Sequence, residues 1–183
     1  NMVKIALNGF GRIGKLALRR LIDNDISVAF INDKNGDPDL FAHLLEFDTV
    51  HGRWSRSISN DSVSLTVDNQ KIPVLREENI VNLPLDEIDI VIDCTGFFKS
   101  EQLLAPYFKK GIQKVIVSAP VKTGTVANLV YGVNDNIYDP NMHNIVTAAS
   151  CTTNCLAPIV KVVHESLGIK HGSITTIHNV TNT

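Results

Sequence analysis

The sequence predicts an α/β fold: a doubly wound, mostly parallel sheet, followed by the start of an α+β domain. Three observations carry this expectation. Apolar runs of strand length alternate with helical patterns, as in Val3–Leu7 followed by Lys15–Asn24. Several of these runs end in small polar residues, as Ile88–Asp93 does at Cys94-Thr95-Gly96 and Lys114–Val117 does at Ser118. A glycine-rich turn, Asn8-Gly9-Phe10-Gly11-Arg12-Ile13-Gly14, joins the first strand to the first helix.

The chain has 183 residues, enough for one good-sized core and little more. Hydrophobic residues make up 44% and the net charge is −2, the balance of a soluble globular chain with no nucleic-acid partner. No uncharged apolar run reaches the length of a membrane span, so no membrane partner is expected. Lys4 and an early strand leave no room for a secretory signal. The cysteines are Cys94, Cys151 and Cys155, and this odd number fits a reducing, cytoplasmic setting. Cys151 and Cys155 lie four apart, but no second Cys/His cluster completes a metal site, and no metal is expected.

In chain order, Gly9, Gly11 and Gly14 match G-x-G-x-x-G between a strand and a helix, the context this motif requires. The first glycine permits the tight turn, the second lets backbone approach a pyrophosphate, and the third lets helix pack on strand. The competing reading is a glycine-rich turn without a ligand. A second strand, Ser27–Ile31, ends at Asn32-Asp33. Asp33 lies nineteen residues past Gly14, close to the ~20 expected of the acid that accepts hydrogen bonds from the adenosine ribose. A carboxylate there repels a 2′-phosphate, so NAD is favoured over NADP; the alternative is a turn cap. A Rossmann-like sheet binds its ligand at the carboxyl ends of its strands, which places Thr95 and Ser118 on the nicotinamide side. A short helix, Asp39–Phe47, follows the second strand, and His51 and Arg53 beyond it read as structural or interface residues. Val63–Val67 and Ile72–Val74 alternate as a hairpin turning at Asp68-Asn69, read as an insertion in the dinucleotide-binding unit. Ser100 is placed to cap the next helix.

The chain converges on Ala149-Ser150-Cys151-Thr152-Thr153-Asn154-Cys155-Leu156-Ala157-Pro158. The run Asn144–Ala149 reads as a strand entering it. Leu156, Ile159, Val160, Val163 and Leu167 leave it on one helical face. Cys151 thus stands at a helix start, where free amide N–H groups and the positive end of the helix dipole favour an anion. The competing reading is a buried structural cysteine. The flanking hydroxyls of Ser150, Thr152 and Thr153 suit a phosphate or an oxyanion. Ser173–Thr183 alternates like a strand and carries His178, which could pair with Cys151 as base with nucleophile.

Ser150-Cys-Thr-Thr-Asn-Cys-Leu-Ala-Pro158 with Thr176-Ile-His178 strongly resembles phosphorylating glyceraldehyde-3-phosphate dehydrogenases, and the resemblance runs the length of the chain. It implies an NAD-dependent oxidoreductase that converts glyceraldehyde 3-phosphate and inorganic phosphate to 1,3-bisphosphoglycerate through a thioester. By the same resemblance Cys151 is the nucleophile and His178 the base. Gly9, Phe10, Gly11, Arg12, Ile13, Gly14, Asp33, Thr95, Gly96 and Ser118 hold NAD, and Ser150, Thr152 and Thr181 hold phosphate or substrate. The resemblance also implies a cytoplasmic homotetramer of glycolysis, with residues 1–150 as the NAD-binding domain and 151–183 as the start of a truncated catalytic domain.

The sequence departs from the family pattern in places. Ala148 stands where an asparagine is usual, Asn179 and Asn182 differ from the glycolytic form, and Glu78 occupies the usual arginine position beside the adenosine. The Thr147-Ala-Ala-Ser-Cys151 form resembles the branch associated with arsenic-resistance operons, in which arsenate replaces phosphate. Two other readings are an erythrose-4-phosphate dehydrogenase and a truncated, non-catalytic NAD-binding module. Family members continue well past Thr183, so this chain is expected to be inactive by itself.

Overall fold

The computed structural model describes residues 3–122 and 124–178. The first strand, β1 (Ile5–Asn8), runs into helix α1 (Arg12–Asp23), which begins three residues earlier than its apolar pattern suggests. Gly11 is its N-cap and no side chain caps it, so its first-turn amides stay available. Strand β2 (Val28–Asn32) leads to helix α2 (Pro38–Glu46), which starts on an Asp37 cap to Leu40 N–H with proline in its first turn. Three strands follow: β3 (Ile58–Asn60), β4 (Ser64–Val67) and β5 (Gln70–Leu75). After these come β6 (Ile90–Asp93), helix α3 (Glu101–Lys109) capped by Ser100 as expected, β7 (Lys114–Val117), β8 (Ala127–Asn128), β9 (Ile145–Thr147) and helix α4 (Cys151–Leu167).

Among the described residues the nine strands form one sheet in the order β3-β4-β5-β2-β1-β6-β7-β9-β8. From β5 to β8 every neighbour is parallel; only β3–β4 and β4–β5 are antiparallel. The chain leaves β1 toward β2 and later returns to its other side at β6, so strand order reverses beside β1. Ligands bind in the crevice at such a reversal. The expected hairpin forms, β4 pairing antiparallel with β5 across Asp68-Asn69, but it is not an insertion. Its second strand, β5, pairs in parallel with β2 (Ile31↔Val74, Asn32↔Leu75), so it belongs to the main sheet, and β3 adds a strand that was not expected. Alternation shows which face of a strand is buried, but not which neighbour its edge pairs with.

The core lies on both faces of the sheet, as side-chain alternation along a strand demands. On one face Leu7 and Ile31 pack with Leu18 of α1, Phe41 and Leu45 of α2, and Trp54. On the other, Ala6, Val91 and Val115 pack with Leu104 and Tyr107 of α3. Burying a leucine such as Leu18 or Leu104 completely contributes about 1.5–3 kcal/mol. Arg19, also buried, is held by backbone carbonyls alone: its guanidinium donates to Leu45 O (2.9 and 2.6 Å), Glu46 O and Gly52 O. It stacks over Trp54 and fastens α1 to the carbonyl end of α2.

The far end of the chain is built differently. None of the side chains of α4 is buried, and Ile159, Val160, Val163 and Leu167 of its apolar face are exposed. Residues 173–178, expected as a strand, form none, because a strand requires a partner ladder and no described segment supplies one. The rest of that expected strand, with Thr181, Asn179 and Asn182, lies outside the described residues. Among the described residues no helix is long and apolar enough to cross a membrane.

Candidate active site

The three fingerprint glycines have three different surroundings. Gly9 has φ +92°, and a Cβ there would sit 2.5 Å from the Cys94 carbonyl carbon and from Thr95 N. Its N–H donates to Asn32 O at 2.7 Å, which ties the turn to β2. At Gly14 a Cβ would lie 2.0 Å from Gly9 O, so only glycine lets α1 pack this close to the turn. Gly11 faces open space, with nothing within 4 Å of its would-be Cβ. The open backbone at Gly11 and the uncapped start of α1 fit a pyrophosphate, which needs close backbone approach and free N–H donors.

Asp33 is anchored from two sides. Phe10 N–H donates to its Oδ2 at 2.6 Å and Asn35 N–H to its Oδ1 at 2.9 Å. A carboxylate has about four lone-pair sites, so both oxygens can still accept from ribose hydroxyls. Asp33 and the turn border a cleft of about 710 Å³ that runs past Gly9 and Gly11 to Thr95 and Phe97.

Beneath this cleft runs a chain of buried polar groups. Asn8, Asn32 and Asp93 occupy the last positions of β1, β2 and β6 and stand in register. Asn32 Nδ2 donates to Asn8 Oδ1 (2.7 Å), Asn8 Nδ2 to Tyr107 OH (2.6 Å), and Tyr107 OH to Asp93 Oδ2 (2.7 Å). The other Asp93 oxygen accepts from Thr95 N–H (3.0 Å) and Thr95 Oγ1 (2.7 Å). At the opposite end Asn32 clamps the Glu77 backbone, donating to its O at 2.9 Å and accepting from its N–H at 2.8 Å. One continuous chain thus fixes the wall at Glu77 and the wall at Thr95. Burial, opposed by the Thr95 and Tyr107 hydrogen bonds, raises the Asp93 carboxyl above its usual range. Burial likewise pushes the neighbouring Cys94 thiol up to about 12, which makes Cys94 an inert floor group.

Cys151 is the first residue of α4, and its side chain is exposed. The turn before it is held tightly. Ala149 takes φ +55°, unusual for a residue with a Cβ, and its N–H donates to Thr147 Oγ1 at 3.0 Å. Thr147 Oγ1 in turn donates to Asn128 Oδ1 at 2.6 Å. Ser150 is the N-cap, its Oγ accepting from Thr153 N–H at 3.0 Å. Asn154 Nδ2 reaches back to Ala148 O (2.6 Å) and Ser150 O (2.9 Å). The His178 Nε2 lies 3.5 Å from Thr152 Oγ1, at the outer limit for a hydrogen bond.

Residues 3–101 match the family model described as glyceraldehyde 3-phosphate dehydrogenase, NAD binding domain. The chain belongs to this family. Residues 150–183 match the model of the C-terminal domain of glyceraldehyde 3-phosphate dehydrogenase. Glyceraldehyde-3-phosphate dehydrogenase 3 of Nostoc sp. is 48% identical over 99% of this chain and 54% of its own length. The glyceraldehyde-3-phosphate dehydrogenase of Geobacillus stearothermophilus is 44% identical over 98% of this chain and 54% of its own. That of Mycoplasma pneumoniae is 41% identical over 98% and 53%. The chain therefore spans about half the length of the curated relatives it matches.

With the family in hand, the expected residues sort by place. Gly9, Gly11, Asp33 and Thr95 line the cleft, and Gly96 follows Thr95 at φ +70°. Phe10 is buried edge-on against Phe41, while Arg12 and Ile13 are exposed at the start of α1 and Gly14 packs beneath the turn. Ser118 directly follows β7, its N–H donating to Asp93 O at 2.9 Å, and its side chain hydrogen-bonds the Cys94 thiol. Ser150 and Thr152 gather at the start of α4 beside Cys151. Sequence reasoning missed Asn8, Asn32, Asp93, Tyr107 and Asn154. The signal for three of them was present, since three apolar runs each end on Asn or Asp, but their registration across the sheet was not.

Proposed function

We propose that the protein to which this chain belongs is an NAD-dependent, phosphorylating glyceraldehyde-3-phosphate dehydrogenase. In this reading residues 1–150 are the cofactor domain and residues 151–183 begin the catalytic domain. The observation that carries it is the pairing of a preformed dinucleotide cleft with an exposed cysteine at the capped start of α4. NAD, when bound, supplies the hydride acceptor. Gly9, Gly11 and the α1 amides hold its pyrophosphate, Asp33 its ribose, and Thr95 and Gly96 border its nicotinamide.

Cys151 Sγ attacks the aldehyde carbon of glyceraldehyde 3-phosphate, and the carbonyl oxygen becomes the hydroxyl of a hemithioacetal. His178 accepts that hydroxyl proton as the carbon is oxidised, which leaves an acyl thioester on Cys151. Ser150 and Thr152, with the amides of the α4 first turn, hold inorganic phosphate, whose oxygen attacks the thioester carbon and releases the acyl phosphate and the cysteine. Thr181 joins the anion site in this reading. Arsenate is near-isosteric with phosphate and can use the same donors. The family resemblance supports a homotetramer in the cytoplasm.

The test measures NADH formation by the full-length gene product with glyceraldehyde 3-phosphate or erythrose 4-phosphate, each with phosphate or arsenate. Preference for glyceraldehyde 3-phosphate with phosphate, abolished by Cys151→Ser, is expected. Preference for erythrose 4-phosphate, or turnover that survives Cys151→Ser, overturns the reading.

A further inference from the structure

The adenosine end of the cleft carries an unusual charge arrangement. Among the described residues that line it, Asp33, Glu77 and Glu78 are acidic and Lys34 is the one basic residue. Lys34 does not face the cleft as a free cation: its Nζ pairs with Glu78 Oε1 at 3.2 Å. The partners come from different segments, one just past β2 and the other just past β5. Both backbones are fixed. The residue before Lys34 is anchored through Phe10 and Asn35 N–H, and the residue before Glu78 is clamped by Asn32. Both side chains are largely exposed, at 58% and 72%. An exposed pair of this kind is held only weakly. The contact is therefore well placed but weak, which suits a latch.

We propose that the Lys34–Glu78 pair sets cofactor choice at the 2′ position. Closed, it occupies the one cation that lines the cleft among the described residues and leaves this end acidic, so a 2′-phosphate finds no counter-charge in the lining. Opened, it leaves Lys34, one residue from the ribose-facing Asp33, able to neutralise that phosphate. Glu78 thus acts by withholding Lys34, in addition to the repulsion from Asp33. The inference rests on the reading of this cleft as the dinucleotide site.

The experiment measures the dissociation constants of NAD and NADP by calorimetry for the unmutated protein, Glu78→Gln, Lys34→Met and the double variant. Glu78→Gln is expected to raise the NADP-to-NAD affinity ratio about fivefold, the effect of ~1 kcal/mol. In the Lys34→Met background the same substitution should raise it by less than about twofold. An unmoved ratio in Glu78→Gln overturns the latch. A full gain that persists without Lys34 also overturns it, because Glu78 would then act only through its own charge. Failure of the unmutated protein to bind either dinucleotide overturns the cofactor reading and the latch together, whereas NAD binding with an unmoved ratio overturns the latch alone.

Discussion

Replacing Tyr107 by phenylalanine removes one oxygen from the buried chain under the cofactor cleft and leaves the ring packing in place. The lost hydroxyl accepts from Asn8 Nδ2 and donates to Asp93 Oδ2. Both partners are almost fully buried and cannot turn to water. An unsatisfied buried donor costs roughly 1–3 kcal/mol, and a lost hydrogen bond to a carboxylate about 1.5–3 kcal/mol. Local relaxation offsets part of this sum, so the variant should lose about 3 kcal/mol of stability. For a chain of this size, that corresponds to a fall in Tm of ~6–12 °C. Urea unfolding should show the lower midpoint with an unchanged slope, because the surface exposed on unfolding is the same. A cycle with Asp93→Asn should show coupling above ~0.5 kcal/mol, since the two groups share one bond. NAD affinity should also fall, because Thr95 and Glu77 lose their common tether. A stability loss below ~1 kcal/mol, or additive variants, would refute the idea that this chain of groups holds the cleft walls.

Iodoacetamide should modify Cys151 before Cys94, whose thiol burial pushes up to about 12; peptide mapping that finds Cys94 first would overturn the assignment. Asp48 is held well below the usual carboxylate range by Lys15 Nζ at 2.8 Å and by the His51 and Val50 amides. Its native state binds fewer protons than the unfolded chain, so its stabilisation is present above the ordinary carboxylate pKa and fades as pH falls through the lowered one. Acid titration of Asp48→Asn should accordingly show a shallower loss of stability than the unmutated chain. Ser150→Ala should cost about 1 kcal/mol through loss of the α4 cap, measured by thermal unfolding. The 183-residue chain should bind NAD yet produce no NADH from glyceraldehyde 3-phosphate at a typical enzymatic rate of ~10 s⁻¹.

How much of this was legible depended on the range of the interaction. The fingerprint turn and the Ser100 cap follow from local chemistry, and both formed where spacing placed them. Helix and strand identity up to α4 followed from periodicity, with ends shifted by a few residues, as at Arg12 where α1 begins, whereas the alternation of residues 173–178 made no strand. What the sequence concealed was registration between distant segments. Asn8, Asn32 and Asp93 are ordinary strand-end residues until β1, β2 and β6 lie side by side. The membership of β5 in the parallel sheet was hidden for the same reason. The distance from Lys34 to Glu78 depends on two loops held by backbone bonds that no spacing rule reveals. Tyr107 drew no reading from the sequence, since only its neighbours show where the hydroxyl goes.

The two ends of the site differ in what holds them. At the cofactor end four bonds within the described residues tie the walls together: Gly9 to Asn32, Phe10 to Asp33, Glu77 to Asn32, Thr95 to Asp93. That end can present a preorganised cleft without help. At the catalytic end the thiol is well placed, because Asn154, Ser150, Thr147 and Asn128 fix the turn that carries Cys151. The histidine is not comparably fixed. Among the described residues, 173–178 join no ladder, and the polar contact found for the His178 ring is the long one to Thr152. A base must be held within about half an ångström of its working position to act on a bound hydroxyl. Orientation of this kind accounts for up to ~7–11 kcal/mol of barrier in well-aligned reactions. In the proposed mechanism, binding and thiol reactivity rest on groups that are already locked, whereas turnover also requires a fixed position for His178.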